Sequence, residues 1–386
     1  MLKLIVNADC YAPESLGLKS ILIAGGKIVY IGDSEPDLGG SLAVERTDVA
    51  GAPLVPGFID PHAHITGGGG EAGYHTRVPS VLMSEYTRGG ITTVVGLLGT
   101  DDLTRTTSSV IVQAKSLKNE GISCFCYTGG YHLPPTTLTG SVRSDIVHVE
   151  EIVGVGELAI ADHRSSQPTV DELLRIASEA HVAGLMTEKA GVVHLHVGDG
   201  DSGLQIVRDA LDQSELPPRV FYPTHVNRRK KLFEEACVLS QRGSTIDITA
   251  FPVADDEDAW SAANALIRYL DGDFPRENVT VSTDGGGCLP VFDESGNIES
   301  LDYARATALA DTVKELLDRG QPLDRILPAF TSNTARILRL QAKGAVRVGY
   351  DADLVVLGPD HLPSYVMANG NWHLFNTELR RTGTFE

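Results

Sequence analysis

The chain predicts an α/β fold: a (β/α)8 TIM barrel with a small β domain formed from both chain termini. Three observations carry this. Eight short apolar runs recur between residues 58 and 283, with helix-periodic stretches among them, the alternation that parallel βα units produce. Three of these runs end in hard metal ligands, where a barrel gathers its chemistry: Phe58-Ile59-Asp60-Pro61-His62-Ala63-His64, Val192-Val193-His194-Leu195-His196 and Val279-Thr280-Val281-Ser282-Thr283-Asp284. β-rich segments flank this region at both ends. A doubly wound open sheet is the alternative, but no GxGxxG turn follows the first run.

Residues 1–56 read as the N-terminal part of the small domain. Runs 2–6, 20–24 and 27–31 are β-rich, and Gly25-Gly26 occupies a hairpin position. Pro53 and Pro56 then lead into the barrel, assigned to residues 57–342. Its strands fall at 58–62, 92–98, 123–128, 152–160, 192–197, 220–224, 245–249 and 279–283, with helices at stretches such as 170–182, 229–241, 259–270 and 303–319. From residue 343 to 386 strand character returns, at 345–348, 352–357 and 364–368. Chain ends often lie close together, so this tail can pair with the N-terminal strands.

Composition narrows the partners. With 386 residues, 42% of them hydrophobic, the chain can bury a large core. A net charge of -19 excludes the basic stripe that nucleic acid requires. Cys10, Cys124, Cys126, Cys237 and Cys288 form no CxxC pair and are widely spaced, which suits a reducing compartment. The apolar run near Met1 is too short for a signal peptide, and no stretch approaches a membrane span. The expectation is a cytoplasmic protein with no nucleic-acid or membrane partner.

The chemistry lies at the strand ends. A lone buried histidine is more often a core residue than a ligand. His62 and His64 at i, i+2, followed by Gly67-Gly68-Gly69-Gly70, shift that balance towards a metal. On the fifth run His196 lies nearer the C-terminal end, so it is read as the ligand and His194 as a deeper core or supporting residue. The sixth run ends in Pro223-Thr224-His225-Val226-Asn227-Arg228, and Asp284 precedes three glycines that leave its carboxylate accessible. Four histidines, Asp284 and an acid from the fourth run could hold two metal ions and a bridging hydroxide, with Asp284 passing a proton to a leaving amine.

This pattern, with the closing Gly349-Tyr350-Asp351-Ala352-Asp353-Leu354-Val355-Val356-Leu357, resembles the amidohydrolase superfamily. More narrowly, Gly67-Gly68-Gly69-Gly70-Glu71-Ala72-Gly73, Gly96-Leu97-Leu98-Gly99-Thr100-Asp101, Asp162-His163-Arg164-Ser165 and the His225 segment are similar to the bacterial isoaspartyl (β-aspartyl) dipeptidases. The resemblance runs through nearly the whole chain. It implies a homo-oligomeric enzyme with two divalent ions, Zn2+ by preference, that cleaves β-aspartyl dipeptides. His62, His64 and Asp284 would hold the more buried ion, and His196 and His225 the more exposed one. Glu71 would grip the substrate's α-amino group, Tyr131 would steady the oxyanion, and Arg164 and Arg228 would bind carboxylates. Gly69, Thr100 and Cys288 would complete the substrate pocket.

Each assignment has a plainer rival. Tyr131 could be a rim aromatic, Glu71 a helix cap, and Arg164 and Arg228 structural ion pairs. Arg229, Lys230 and Lys231 read as a solvated helix start. Two positions depart from the family pattern. Glu157, in Val155-Gly156-Glu157-Leu158-Ala159, stands where the family carries a carboxylated, metal-bridging lysine, and Cys288 replaces a serine. Glu157 keeps one negative charge and two oxygens on a shorter side chain. Rival functions are a cyclic-amide hydrolase of the dihydroorotase or hydantoinase kind, an N-acyl-amino-acid deacylase, and a catalytically silent barrel scaffold.

Overall fold

Six of the eight expected strands lie side by side in one parallel sheet in the computed structural model, which describes residues 2–39, 43–292 and 298–386. In chain order these are β1 (Phe58–Ala63), β2 (Ile91–Gly96), β3 (Ser123–Thr128), β4 (Ile152–Ile160), β5 (Val192–Val197) and β6 (Phe221–Thr224). β7 (Ile246–Thr249) and β8 (Val279–Ser282) form a second parallel pair. Every residue of β4, β5 and β8 is buried; β4 reads as a nearly continuous apolar run, while β5 and β8 carry buried polar residues, with Thr280 and Ser282 donating to Asp247.

The parallel sheet curls. A parallel bridge joins Ala63, at the end of β1, to Gly285, just beyond β8. His64 N donates to Gly285 O at 2.8 Å, and Asp284 N donates to His62 O at 3.1 Å. On the other side, Val226 N reaches Asp247 O at 3.4 Å. The first and eighth strands therefore bring His62, His64 and Asp284 to one place.

Helices pack outside the strands. Val170–Thr187 starts on a capping box: Thr169 Oγ1 accepts from Glu172 N at 3.3 Å, and Glu172 Oε2 accepts from Thr169 N at 2.8 Å. Lys230–Gln241, Ala262–Asp271 and Ala308–Asp318 match the other expected helices. The last begins later than expected, because Ile298–Tyr303 is a strand paired antiparallel with Cys288–Phe292. Among the described residues no helix is long and apolar enough to cross a membrane.

Strands from both chain ends share a nine-stranded sheet. Leu2–Tyr11, Ser15–Ala24, Lys27–Gly32, Val44–Asp48 and Pro53–Pro56 come from one end, and Leu354–Leu357, Pro363–Ala368, Asn371–Phe375 and Glu378–Leu379 from the other. Pro53–Pro56 pairs antiparallel with Leu354–Leu357 and joins the two halves. The expected hairpin is present: Gly25 and Gly26 take φ of 57° and 80°, as a primed two-residue turn requires. The expected strand at 345–348 is absent. Gly344 and Gly349, at φ of 76° and 91°, turn the chain on either side and leave too few residues to pair.

The sheet buries its own apolar cluster around Ile5, Ile21, Ile23, Leu54, Leu354 and Val356, apart from the larger core between parallel strands and helices. Lys343 connects the two regions. Its buried ammonium donates to Asp353 Oδ2 at 2.5 Å and to Ser123 Oγ of β3 at 2.6 Å, and it lies 2.9 Å from Asp351 Oδ2.

Candidate active site

The C-terminal ends of the parallel strands open into a cleft of about 910 Å³. Twelve of the thirteen expected site residues line it: His64, Gly69, Glu71, Thr100, Tyr131, Glu157, Arg164, His196, His225, Arg228, Asp284 and Cys288. The thirteenth, His62, is fully buried against them. Side chains more than two hundred residues apart in the chain meet here.

Two backbone features aim the ligands. His225 and Asp284 each follow a strand end, and both take left-handed φ, 60° and 55°. Such values are uncommon outside glycine, although His and Asp tolerate them better than most residues. At Gly99 a close approach leaves no room for a Cβ while His64 stays in place: it would lie 2.7 Å from His64 Cε1 and 3.3 Å from Glu157 Oε1.

The donor atoms form two groups around Glu157. Asp284 Oδ1 lies 3.2 Å from His62 Nε2 and 3.1 Å from His64 Nε2. Glu157 Oε1 is 3.5 Å from His64 Nε2. Its Oε2 is 3.2 Å from His196 Nδ1, 3.4 Å from His225 Nε2 and 3.6 Å from His62 Nε2. His62, His64 and Asp284 form one set of convergent donors, and His62, Glu157 and His225 another.

These separations are those of ligands sharing an ion. Four donors at about 2.0–2.1 Å in tetrahedral array stand about 3.3–3.4 Å apart. His62 Nε2 and Asp284 Oδ1 are buried with no hydrogen-bond partner although they face each other, so hydrogen bonding does not account for their placement. Burial and the charge of Asp284 push the Glu157 carboxyl well above the usual carboxylate range. A cation between the two acids would relieve that. Burial also lowers His196, to about 3, and His225, leaving both rings neutral, the form in which imidazole ligates. The residue set fits divalent metal.

Supporting contacts that the motifs did not reveal orient the ligands. Asp162 Oδ2 lies 3.0 Å from His196 Nε2, so the opposite nitrogen of that ring turns towards Glu157. Burial opposes ionisation of Asp162, but hydrogen bonds from His196 and Arg164 hold its carboxyl well below the ordinary range. His225 Nδ1 is 2.8 Å from Thr249 Oγ1 at the end of β7. Asp162 stood in a quoted motif without a role. Thr249 carried no signal, because its contact spans 24 residues.

The polar wall differs in detail from the simplest expectation. Arg164 grips Asp162 through two nitrogens, Nε to Oδ1 at 3.0 Å and Nη2 to Oδ2 at 2.7 Å. Its Nη1 faces Glu71 Oε1 at 3.3 Å. Arg228 Nη1 donates to Val197 O at 3.2 Å. Tyr131 Oη is 2.8 Å from His196 Nδ1, and burial keeps its phenol protonated. Burial and Glu71 push the Cys288 thiol up to about 11, which removes it as a nucleophile at neutral pH. Helix Lys230–Gln241 begins just after Arg229; Arg229 Nη1 donates to Asp199 O at 2.7 Å, and Lys230 Nζ sits 4.9 Å over the Trp260 ring. Phe251, Pro252, Val253 and Ala254 add an apolar stretch to the lining.

Comparison with known proteins follows the same line. The family model described as "Amidohydrolase family" matches residues 54–373. The crystal structure of β-aspartyl dipeptidase from Fervidobacterium islandicum AW-1 in complex with β-Asp-Leu dipeptide is 40% identical and superposes with a TM-score of 0.94, covering 99% of this chain and 98% of that one. A second structure of β-aspartyl dipeptidase from Fervidobacterium islandicum AW-1 is 38% identical, with a TM-score of 0.91 and 99% of each chain covered. Imidazolonepropionase of Streptomyces avermitilis is 23% identical over 89% of this chain and 81% of its own. Dihydropyrimidinase of Brevibacillus agri shares the fold at 17% identity, with a TM-score of 0.68 and 99% and 97% of the two chains covered.

Proposed function

Because the chain belongs to the amidohydrolase family, and is a hydrolase on that ground, we propose that it hydrolyses β-aspartyl (isoaspartyl) dipeptides at a site holding two divalent ions, most readily Zn2+. The observation that carries this reading is the central Glu157 carboxylate, within 3.2–3.6 Å of nitrogens of four histidines. The likeness to dipeptidase structures at 38–40% identity supports the substrate class more strongly than the 23% likeness to imidazolonepropionase.

His62, His64 and Asp284 would hold one ion, His196 and His225 the other, with Glu157 shared between them. Bound there, the metal pair would acidify a water and polarise the scissile carbonyl. The remaining steps belong to the chain. Asp284 takes a proton from the attacking water and returns it to the departing amine as the C–N bond breaks. The protonated Tyr131 hydroxyl donates to the developing oxyanion. Glu71 and Arg164 Nη1, side by side with opposite charges, match a substrate that carries both an ammonium and a carboxylate. Arg228 faces a second carboxylate, and Gly69, Thr100 and Cys288 shape the same wall.

The reading includes closure of the eight strands into a (β/α)8 barrel over residues 57–342, with 1–56 and 343–386 as a small β domain. The bridge from Ala63 to Gly285 and the nine-stranded sheet support it. It also takes the enzyme to be a cytoplasmic homo-oligomer.

Turnover of β-Asp-Leu, dihydroorotate and N-acetyl-aspartate tests the assignment. β-Asp-Leu should be the substrate cleaved. Turnover of dihydroorotate alone would overturn the dipeptidase reading, and no turnover of any amide by the metal-loaded protein would favour a silent scaffold.

A further inference from the structure

We infer that His194 is a positioning residue that fixes the tautomer of His62 and keeps the lone pair on His62 Nε2 aimed at the metal position. The inference rests on the reading of His62 as a metal ligand and concerns what makes it one.

His194 lies on β5, two residues before His196 on the same face and one layer deeper, and it is fully buried. Its Nδ1 stands 3.0 Å from Tyr222 O of β6, and its Nε2 stands 2.8 Å from His62 Nδ1. A carbonyl only accepts, so the proton of His194 sits on Nδ1. Among the described residues no carboxylate contacts this ring, and an uncompensated buried cation is disfavoured. His194 Nε2 is therefore the acceptor, and His62 Nδ1 must donate to it. With its proton committed there, His62 leaves Nε2 bare, 3.2 Å from Asp284 Oδ1. That is the neutral form able to ligate through Nε2.

The ring that imposes this order is itself held. Tyr127 stacks on His194 with centroids 4.9 Å apart and planes 16° from parallel, and the Tyr222 ring lies 4.7 Å away. Gly156 admits the approach, since a Cβ there would come within 2.7 Å of His194 Cβ. The chain thus runs from a backbone carbonyl through two imidazoles to the site, set before any ion arrives. The other ligands are managed differently, His196 by Asp162 and His225 by Thr249.

Two substitutions separate hydrogen bonding from packing. Glutamine at this position can donate to the Tyr222 carbonyl and accept from His62, whereas methionine fills similar volume and does neither. Zn2+ affinity, read by competition with a chromogenic chelator on protein shown to be folded, should fall about 10–100-fold in His194→Met and stay near wild type in His194→Gln. Equal affinity in wild type and His194→Met would overturn the inference while leaving the metal site intact. Failure of the wild type to bind Zn2+ would instead sink the underlying reading. Should His194→Met not fold, 15N NMR of histidine-labelled, metal-free wild type decides the matter: Nδ1–H on both rings is expected, and Nε2–H on His62 would contradict it.

Discussion

Glu157 and Asp284 lie together among four imidazoles, and Glu157 is 1% exposed. Two acids in so dry a place favour an ion between them, and the orphaned donors at His62 and Asp284 mark where its ligands converge. Asp284 then has two duties that substitution can separate. Asp284→Asn keeps an oxygen donor but cannot accept a proton. It should retain metal, by elemental analysis, while kcat falls by about 10²–10⁴; loss of metal with activity restored by excess Zn2+ would make its role ligation alone. Gly99→Ala tests the close packing behind His64. The added methyl carbon would meet His64 Cε1 at 2.7 Å, so the ring must shift, and chelator titration should find weaker Zn2+ binding at unchanged thermal stability. At this scale the candidate histidines and Asp284 stood out because they lie at or just beyond the ends of apolar strands, whereas Glu157, inside β4, was singled out by resemblance. Asp162 and Thr249 were not, since a partner for an imidazole is defined by a contact across strands that no local pattern encodes.

Among the elements, the parallel strands were the most legible, because Val, Ile and Leu mark each of them even where buried polar residues such as His194, Thr280 and Ser282 interrupt. The segment at 345–348 misled for the opposite reason: Val346 is buried, but the flanking glycines turn the chain before it can pair. Lys343, beside it, ties the terminal sheet to β3. Its ammonium compensates Asp353 and Asp351. Lys343→Met leaves Asp353 without its cation, while Asp351 keeps Lys27 at 2.6 Å, and should lower unfolding stability by about 3–5 kcal/mol in denaturant titration; a change below about 1 kcal/mol would mean water replaces the ammonium. The same sheet carries a pH response. Burial, and then Arg381, lower His373 from its usual value to about 4. The native state therefore keeps this ring neutral while the unfolded chain protonates it. Stability is complete above about pH 6.5 and falls as pH drops towards 4, by about 3 kcal/mol in all. His373→Leu should flatten the stability profile across that window; an unchanged slope would assign it to other groups.

For the whole molecule, the chain joins strands from its two ends in one sheet and collects ligands from residues 62 to 284 at one mouth of a curled parallel sheet. The α/β character and the parallel sheet were visible in the alternation of runs, and the family in its motifs. Which wall atoms remain free for substrate was not visible: Arg164 spends two nitrogens on Asp162 and faces Glu71 with a third. The central claim is that Glu157 is shared by two metal ions. Anomalous diffraction at the zinc edge, from crystals grown with Zn2+, tests it most directly. Two peaks should flank the Glu157 carboxylate, one within bonding distance of His62, His64 and Asp284 and the other of His196 and His225. A single peak, or two peaks that leave Glu157 outside the coordination of either ion, would contradict it.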